Sequence, residues 1–164
     1  MTTTLLVHGN AAQVQQPTEF ASVQYTGPGL QVVLKAGQTG WVHIPLPSPD
    51  VDGVLRLVSV WYNVQTDDAH IDELDIYDGS TRVYHENKSV TGEQSFGVTL
   101  SSAHDVEYGI SLSLRITYPG DSSISNIPQT VVVNSASAEY DYKIVATQGA
   151  NPPATGKAPI KTKP

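Results

Sequence analysis

The stretch Tyr108–Tyr118, YGISLSLRITY, constrains the fold of this chain more than any other. Ile110, Leu112, Leu114, Ile116 and the two terminal tyrosines share one parity, while Ser111, Ser113, Arg115 and Thr117 hold the other. Successive side chains of an extended chain point to opposite faces, so this period of two predicts a strand with one face in a core and one toward water. The segment 140–146, YDYKIVA, repeats the pattern, with Tyr140, Tyr142, Ile144 and Ala146 set against Asp141 and Lys143. Residues 54–65, VLRLVSVWYNVQ, are apolar on both parities at their start. Val58, Val60, Tyr62 and Val64 are expected on the core side, which leaves Leu55, Leu57 and Trp61 in need of a second cover from a loop, a partner or a ligand.

Further strands are predicted near 3–8, 11–15, 20–25, 30–34, 40–44, 71–77, 81–86, 95–100 and 130–133. Turn residues separate them, among them Gly9-Asn10, Gly27-Pro28-Gly29, Asp52-Gly53, Thr91-Gly92 and Pro119-Gly120. Asp78-Gly79, between LDIY and STRVY, predicts a tight hairpin. No window carries a convincing amphipathic helix, and 100–109, LSSAHDVEYG, reads as a loop. Many short strands with Gly and Pro turns imply an all-β fold, a two-sheet antiparallel β-sandwich, for which jelly-roll and immunoglobulin-like connections both fit. The chain has no cysteine, which removes the disulfide-pinned immunoglobulin version and any thiolate chemistry. The expected organisation is one sandwich domain over 1–146 and a flexible Pro/Ala/Lys-rich tail over 147–164, where alternation stops.

The formal net charge is −7, but Lys157, Lys161 and Lys163 sit in the last eight residues without an acid among them. Residues 1–156 therefore carry 16 acidic groups against six basic ones, a net −10. Such a body repels phosphate backbones and anionic bilayers, so neither nucleic acid nor membrane is an expected partner. A carbohydrate, another small neutral ligand, a cation or a second copy of the chain is easier to accommodate. The opening MTTTLLVHGNAAQVQQ lacks a basic n-region and has an apolar run of only Leu5, Leu6 and Val7, so neither a signal peptide nor a membrane span is expected. That pattern is compatible with a cytoplasmic location without specifying one.

Three groups of residues are candidates for a site. In GWVHIPLPSPD, residues 40–50, Val42, Ile44 and Leu46 share the expected core parity, and Trp41, His43, Pro45, Pro47 and Pro49 the other. Proline lacks an amide proton, so the strand is expected over 40–44 and the prolines to end it. Trp41 and His43 are then left on the non-core face, beside a cleft if Trp61 or the 67–72 loop lies close. The acidic run TDDAHIDELDIYDG holds Asp67, Asp68, Asp72, Glu73, Asp75 and Asp78 with His70 among them. Asp67, Asp68 and His70 suit a polar ligand or a cation, while Glu73 and Asp75 share a parity and are expected to face water side by side. The five histidines form no His-x-His or His-x-x-x-His pair, so a metal site would have to assemble across strands, with His85 and Asp72 as its candidate ligands beside His43. No cofactor is demanded, though Ca²⁺ or a transition metal would fit such donors.

No Gly-x-Ser-x-Gly elbow and no phosphate-cradling glycine pattern occurs, so catalytic residues are not assigned and the balance is against an enzyme. The leading function is a non-catalytic binding or interaction module, with a glycan as the most concrete ligand, since a tryptophan face stacks on a sugar ring while polar side chains take its hydroxyls. A self-associating structural subunit, or a small β-scaffold enzyme using His and Asp from separate strands, are the alternatives. A glycan binder needs an exposed aromatic beside convergent polar groups.

Overall fold

The computed structural model describes residues 2–49, 53–65, 68–120 and 127–142. Among these, eleven strands form two antiparallel sheets: β1 (Thr2–His8), β2 (Gln13–Val14), β3 (Ser22–Thr26), β4 (Gly29–Leu34), β5 (Gln38–Pro45), β6 (Gly53–Val64), β7 (His70–Asp78), β8 (Thr81–Val90), β9 (Gly92–Asp105), β10 (Ile110–Tyr118) and β11 (Gln129–Tyr142). One sheet runs β3-β4-β11-β6-β9, with β1 also paired to β11; the other runs β2-β5-β10-β7-β8. The fold is the expected β-sandwich. Strands β4 to β11 cross between sheets at every step except the β7–β8 hairpin, and the orders β4-β11-β6-β9 over β5-β10-β7-β8 are those of a jelly roll. That decides between the two connection schemes left open by periodicity.

Alternation does what it predicts from Ile110 onward but not at Tyr108, which precedes β10 and is 80% exposed. Ile110, Leu112, Leu114, Ile116 and Tyr118 of β10 are buried between the sheets, as are Val58, Val60, Tyr62 and Val64 of β6. They meet Leu30, Val32 and Leu34 of β4, Val42 and Ile44 of β5, and Ile71, Leu74 and Ile76 of β7 in one continuous core. The Asp78-Gly79 hairpin forms with Asp78 opposite Thr81, and Gly79 takes the positive φ of +57° that a two-residue turn requires at its first position.

Three expectations are corrected. The segments near 130–133 and 140–146 are parts of one strand as far as Tyr142, and residues from 143 onward, with the predicted tail over 147–164, lie outside the described residues. LSSAHD is not loop: it continues β9, because a register shift between Leu55 and Leu57 lets β6 keep pairing as far as Val54–Asp105. The same shift turns Leu55 fully into the core, so it needs no second cover, whereas Trp61 keeps 40% of its surface exposed. Among the described residues no helix is long and apolar enough to cross a membrane.

Candidate functional site

The sandwich places the two tryptophans on opposite outer faces. Trp41 and His43 lie on β5 in the five-stranded sheet, and Trp61 lies on β6 in the six-stranded one. A shared cleft of Trp41, His43 and Trp61 is therefore not formed. Asp68 is exposed in the loop before β7, His70 is half-buried at its first position, and Asp67 lies outside the described residues.

The outer face of the six-stranded sheet is built in register. One row across the strands is His8, Ser135, Trp61 and Ser95; the next is Leu6, Ser137, Ser59 and Gly97. Small hydroxyl side chains and a glycine thus form a low floor from which Trp61 and the exposed Leu6 rise. Gly97 keeps that floor low, since a side-chain carbon there would press on Ser59 Oγ at 3.1 Å and Leu57 at 3.3 Å. Beside Trp61 the ladder breaks: β11 pairs Val133 with Tyr62 and then Ser135 with Trp61, leaving Asn134 as a bulge. The bulge marks the point where β4 leaves β11 and β1 joins it. Gly9 and Gly29 press their backbones on the Val133 carbonyl there, where any side chain would collide. Asn134 donates its Nδ2 to the Pro28 carbonyl at 3.2 Å, which leaves its Oδ1 as an acceptor. The result is a cleft of about 450 Å³ lined by Leu6, Trp61, Tyr62, Gln94, Asn134 and Ser135. An exposed indole stands beside two amides and a hydroxyl, the arrangement that sequence reasoning required of a glycan site. Gln94, Asn134 and Ser135 had no local signal in the sequence, because β9, β11 and β6 converge only in the sheet.

The outer face of the five-stranded sheet carries the charge. Its rows are Trp41, Arg115, Glu73 and Asn87, then His43, Ser113, Asp75 and His85. Trp41 and His43 stack with parallel rings 6.4 Å apart, and the Arg115 guanidinium lies 5.9 Å from the Trp41 ring centre. His43 Nδ1 is 2.7 Å from Ser113 Oγ, and burial holds the His43 pKa below its ordinary 6.5. Arg115 grips both oxygens of Asp72 at 2.8 and 3.2 Å and also contacts Glu73. Thr117 Oγ1 donates to Asp72 as well, at 2.9 Å. Asp72 and His85 do not meet as metal ligands. Asp72 is the extra residue of a β7 bulge opposite Arg115–Ile116 and is taken by β10, whereas His85 on β8 stands 2.8 Å from Asp75 and 3.5 Å from Glu73. Asp75 is not solvated beside Glu73 as alternation suggested: it is only 2% exposed, covered by Tyr77, His85 and Arg82. Ser113, also 2% exposed, is too enclosed to attack a substrate, and Asp75 lies on its far side rather than behind His43.

A second His–Asp pair closes one end of the sandwich. Asp78 is buried, with Oδ1 accepting from the Tyr108 and Gly109 amides at 2.8 and 2.9 Å. Its Oδ2 accepts from the Glu107 amide at 2.7 Å and lies 3.0 Å from His104 Nε2. Burial alone would raise its pKa, but the three backbone donors and His104 together outweigh that and hold it at about 2. Three of its contacts go to backbone amides of the β9–β10 loop and the fourth to His104 of β9, so this pair is an anchor. The proline run is anchored beside it. Leu46 fills the core, Ser48 Oγ accepts from the Ile110 amide at 3.1 Å, and the Tyr140 hydroxyl donates to the Pro47 carbonyl at 2.9 Å. The segment thereby ties β11 of one sheet to β10 of the other.

A family model described as "Family of unknown function (DUF6623)" matches residues 1–136. The chain belongs to this family. The matched span contains β1 to β10 and the bulge of β11, hence every side chain of both outer faces named above except those after Ala136. No curated protein matches the sequence. Among solved structures, the chain is similar to one titled "CBM4 structure and function", at 10% identity and a TM-score of 0.47 over 84% of this chain and 94% of that one. It is similar also to a family 29 carbohydrate binding module of Piromyces equi, at 9% identity and a TM-score of 0.45 over 83% and 90% of the two chains. Against a family two carbohydrate esterase of Cellvibrio japonicus it reaches 8% identity and a TM-score of 0.40, covering 85% of this chain and 34% of that one.

Proposed function

We propose that this protein is a non-catalytic carbohydrate-binding module whose site is the cleft around Trp61. The observation that carries the reading is the exposed Trp61 indole standing beside Gln94, Asn134 and Ser135 in a cleft of about 450 Å³. A sugar ring has an apolar face for the indole and a rim of hydroxyls for the amides and serine, which is the division of labour such a cleft offers. The low floor of Ser59, Ser137 and Gly97 continues from the cleft along the sheet, so an oligosaccharide suits it better than a single sugar. The net negative body has no quarrel with a neutral glycan.

The test is calorimetric titration of the full chain with neutral oligosaccharides of xylose, galactose and glucose, beside the variant Trp61→Ala. Binding of at least one oligosaccharide is expected, and its loss by about tenfold or more in the variant, the usual size of an aromatic anchor. Unchanged affinity in Trp61→Ala, or no binding across the three series, refutes the proposal. So does a dimer in sedimentation that Trp61→Ala dissolves, since the indole would then serve contact between copies.

A further inference from the structure

The opposite face of the sandwich holds a second constellation that the cleft does not use. Glu73, Asp75 and His85 each offer one ligand atom, and these atoms lie within 4.8 Å of one another. Two adjacent strands deliver them: β7 supplies Glu73 and Asp75 two residues apart on one face, and β8 sets His85 directly opposite Asp75. All three stand on paired strands rather than in a loop. From the charge balance we infer what it takes. Asp72, Glu73 and Asp75 face two guanidinium groups, and Arg115 is committed to Asp72 and Glu73. Asp75 accepts from the Tyr77 hydroxyl at 3.2 Å, and the one guanidinium paired with it among the described residues, Arg82, reaches it loosely, at 3.5 Å with half its side chain in water. A carboxylate as enclosed as Asp75 is costly unless its charge is fully answered.

We propose that Glu73, Asp75 and His85 form a binding site for a divalent transition metal of the zinc class. One imidazole nitrogen with two carboxylate oxygens suits zinc, which takes three protein ligands and leaves a position for water. Calcium wants six to eight oxygens, more than these residues offer. His85 is partly exposed, which gives an ion a path from solvent, and Arg82 is free to swing away as it enters. The site lies on the far side of the sandwich from Trp61, so it stands or falls independently of glycan binding.

The experiment is calorimetric titration of the untagged, EDTA-stripped full chain with zinc chloride and, separately, calcium chloride. One zinc per chain and no saturable calcium uptake are expected. His85→Ala should weaken zinc by about tenfold or more, whereas His8→Ala, on the other sheet, should bind as the wild type does. No saturable zinc uptake, uptake that survives His85→Ala, or calcium binding of equal strength overturns the assignment. Should His85→Ala fail to fold, imidazole nitrogen spectra of the wild type decide: zinc must move the His85 resonances, and unmoved ones overturn it.

Discussion

Asp78→Asn tests the electrostatic anchor at the end of the sandwich. At neutral pH the Asp78 carboxylate takes three backbone N–H groups and faces His104, with 2% of the residue exposed. Asparagine keeps the shape but removes the charge, and its NH₂ must confront at least one of those donors. Hydrogen bonds to a charged group contribute about 1.5–3 kcal/mol each, and an orphaned buried N–H costs about as much. With some relaxation of the loop, a loss of about 3 kcal/mol at pH 7 is expected. The pH dependence is the sharper part. The folded pKa is about 2 against an ordinary 3.8. A carboxyl whose folded pKa is depressed adds stability above its unfolded pKa and loses it as pH falls through the folded one. At roughly 1.4 kcal/mol per unit, reduced for the water that reaches the loop, that is about 2 kcal/mol lost between pH 4 and pH 2. Urea unfolding followed by tryptophan fluorescence, run on wild type and Asp78→Asn from pH 7 to pH 2.5, measures the difference directly. Other carboxylates titrate in both proteins and cancel. The gap should be wide and flat above pH 5 and narrow to about 1 kcal/mol near pH 2.5. A gap that is the same at both ends, or below about 0.5 kcal/mol at pH 7, refutes the account of Asp78 as a charged anchor.

Three other outcomes follow from the geometry. Gly29→Ala forces a side chain into the Val133 carbonyl at a φ of +145°, and should cost about 3 kcal/mol or more by thermal melting. Tyr140→Phe leaves the half-buried Pro47 carbonyl without its donor and should cost about 1 kcal/mol; burial pushes the Tyr140 hydroxyl up to about 12, so the variant should also lose a late phase from the alkaline absorbance titration. Burial lowers the His43 pKa, so the ring should titrate below 6.5 by NMR, and stability should be full above pH 6.5 and decline as pH falls beneath it.

How far the sequence could be read depended on whether a residue's role is set along the chain or across it. Alternation is a local property, so the buried row from Ile110 to Tyr118 and the hairpin at Asp78-Gly79 were legible from the residues alone. The proline run was legible as a strand end, and Pro45 does close β5. Leu55 was not legible, because a bulge in pairing with β9 overrides its parity. Asp78 looked like an ordinary turn acid, since nothing near it in sequence shows that the 107–109 amides fold back onto it.

The candidate sites divide in the same way. Trp61 stood out by its parity, an apolar residue on the wet side of a strand. What makes it a site, the Asn134 bulge with Ser135 and Gln94, comes from β11 and β9, separated from it by more than thirty residues of chain. Trp41, His43 and Trp61 were readable as exposed-face residues but not as lying on opposite sides of the molecule, and Asp72 and His85 were readable as donors but not as facing different partners. By itself the sequence determined an acidic, cysteine-free, two-faced β-sandwich. Strand order and register alone decided that it is a jelly roll and which outward side chains meet, because cross-strand neighbours are chosen by long-range pairing that leaves no mark in local pattern.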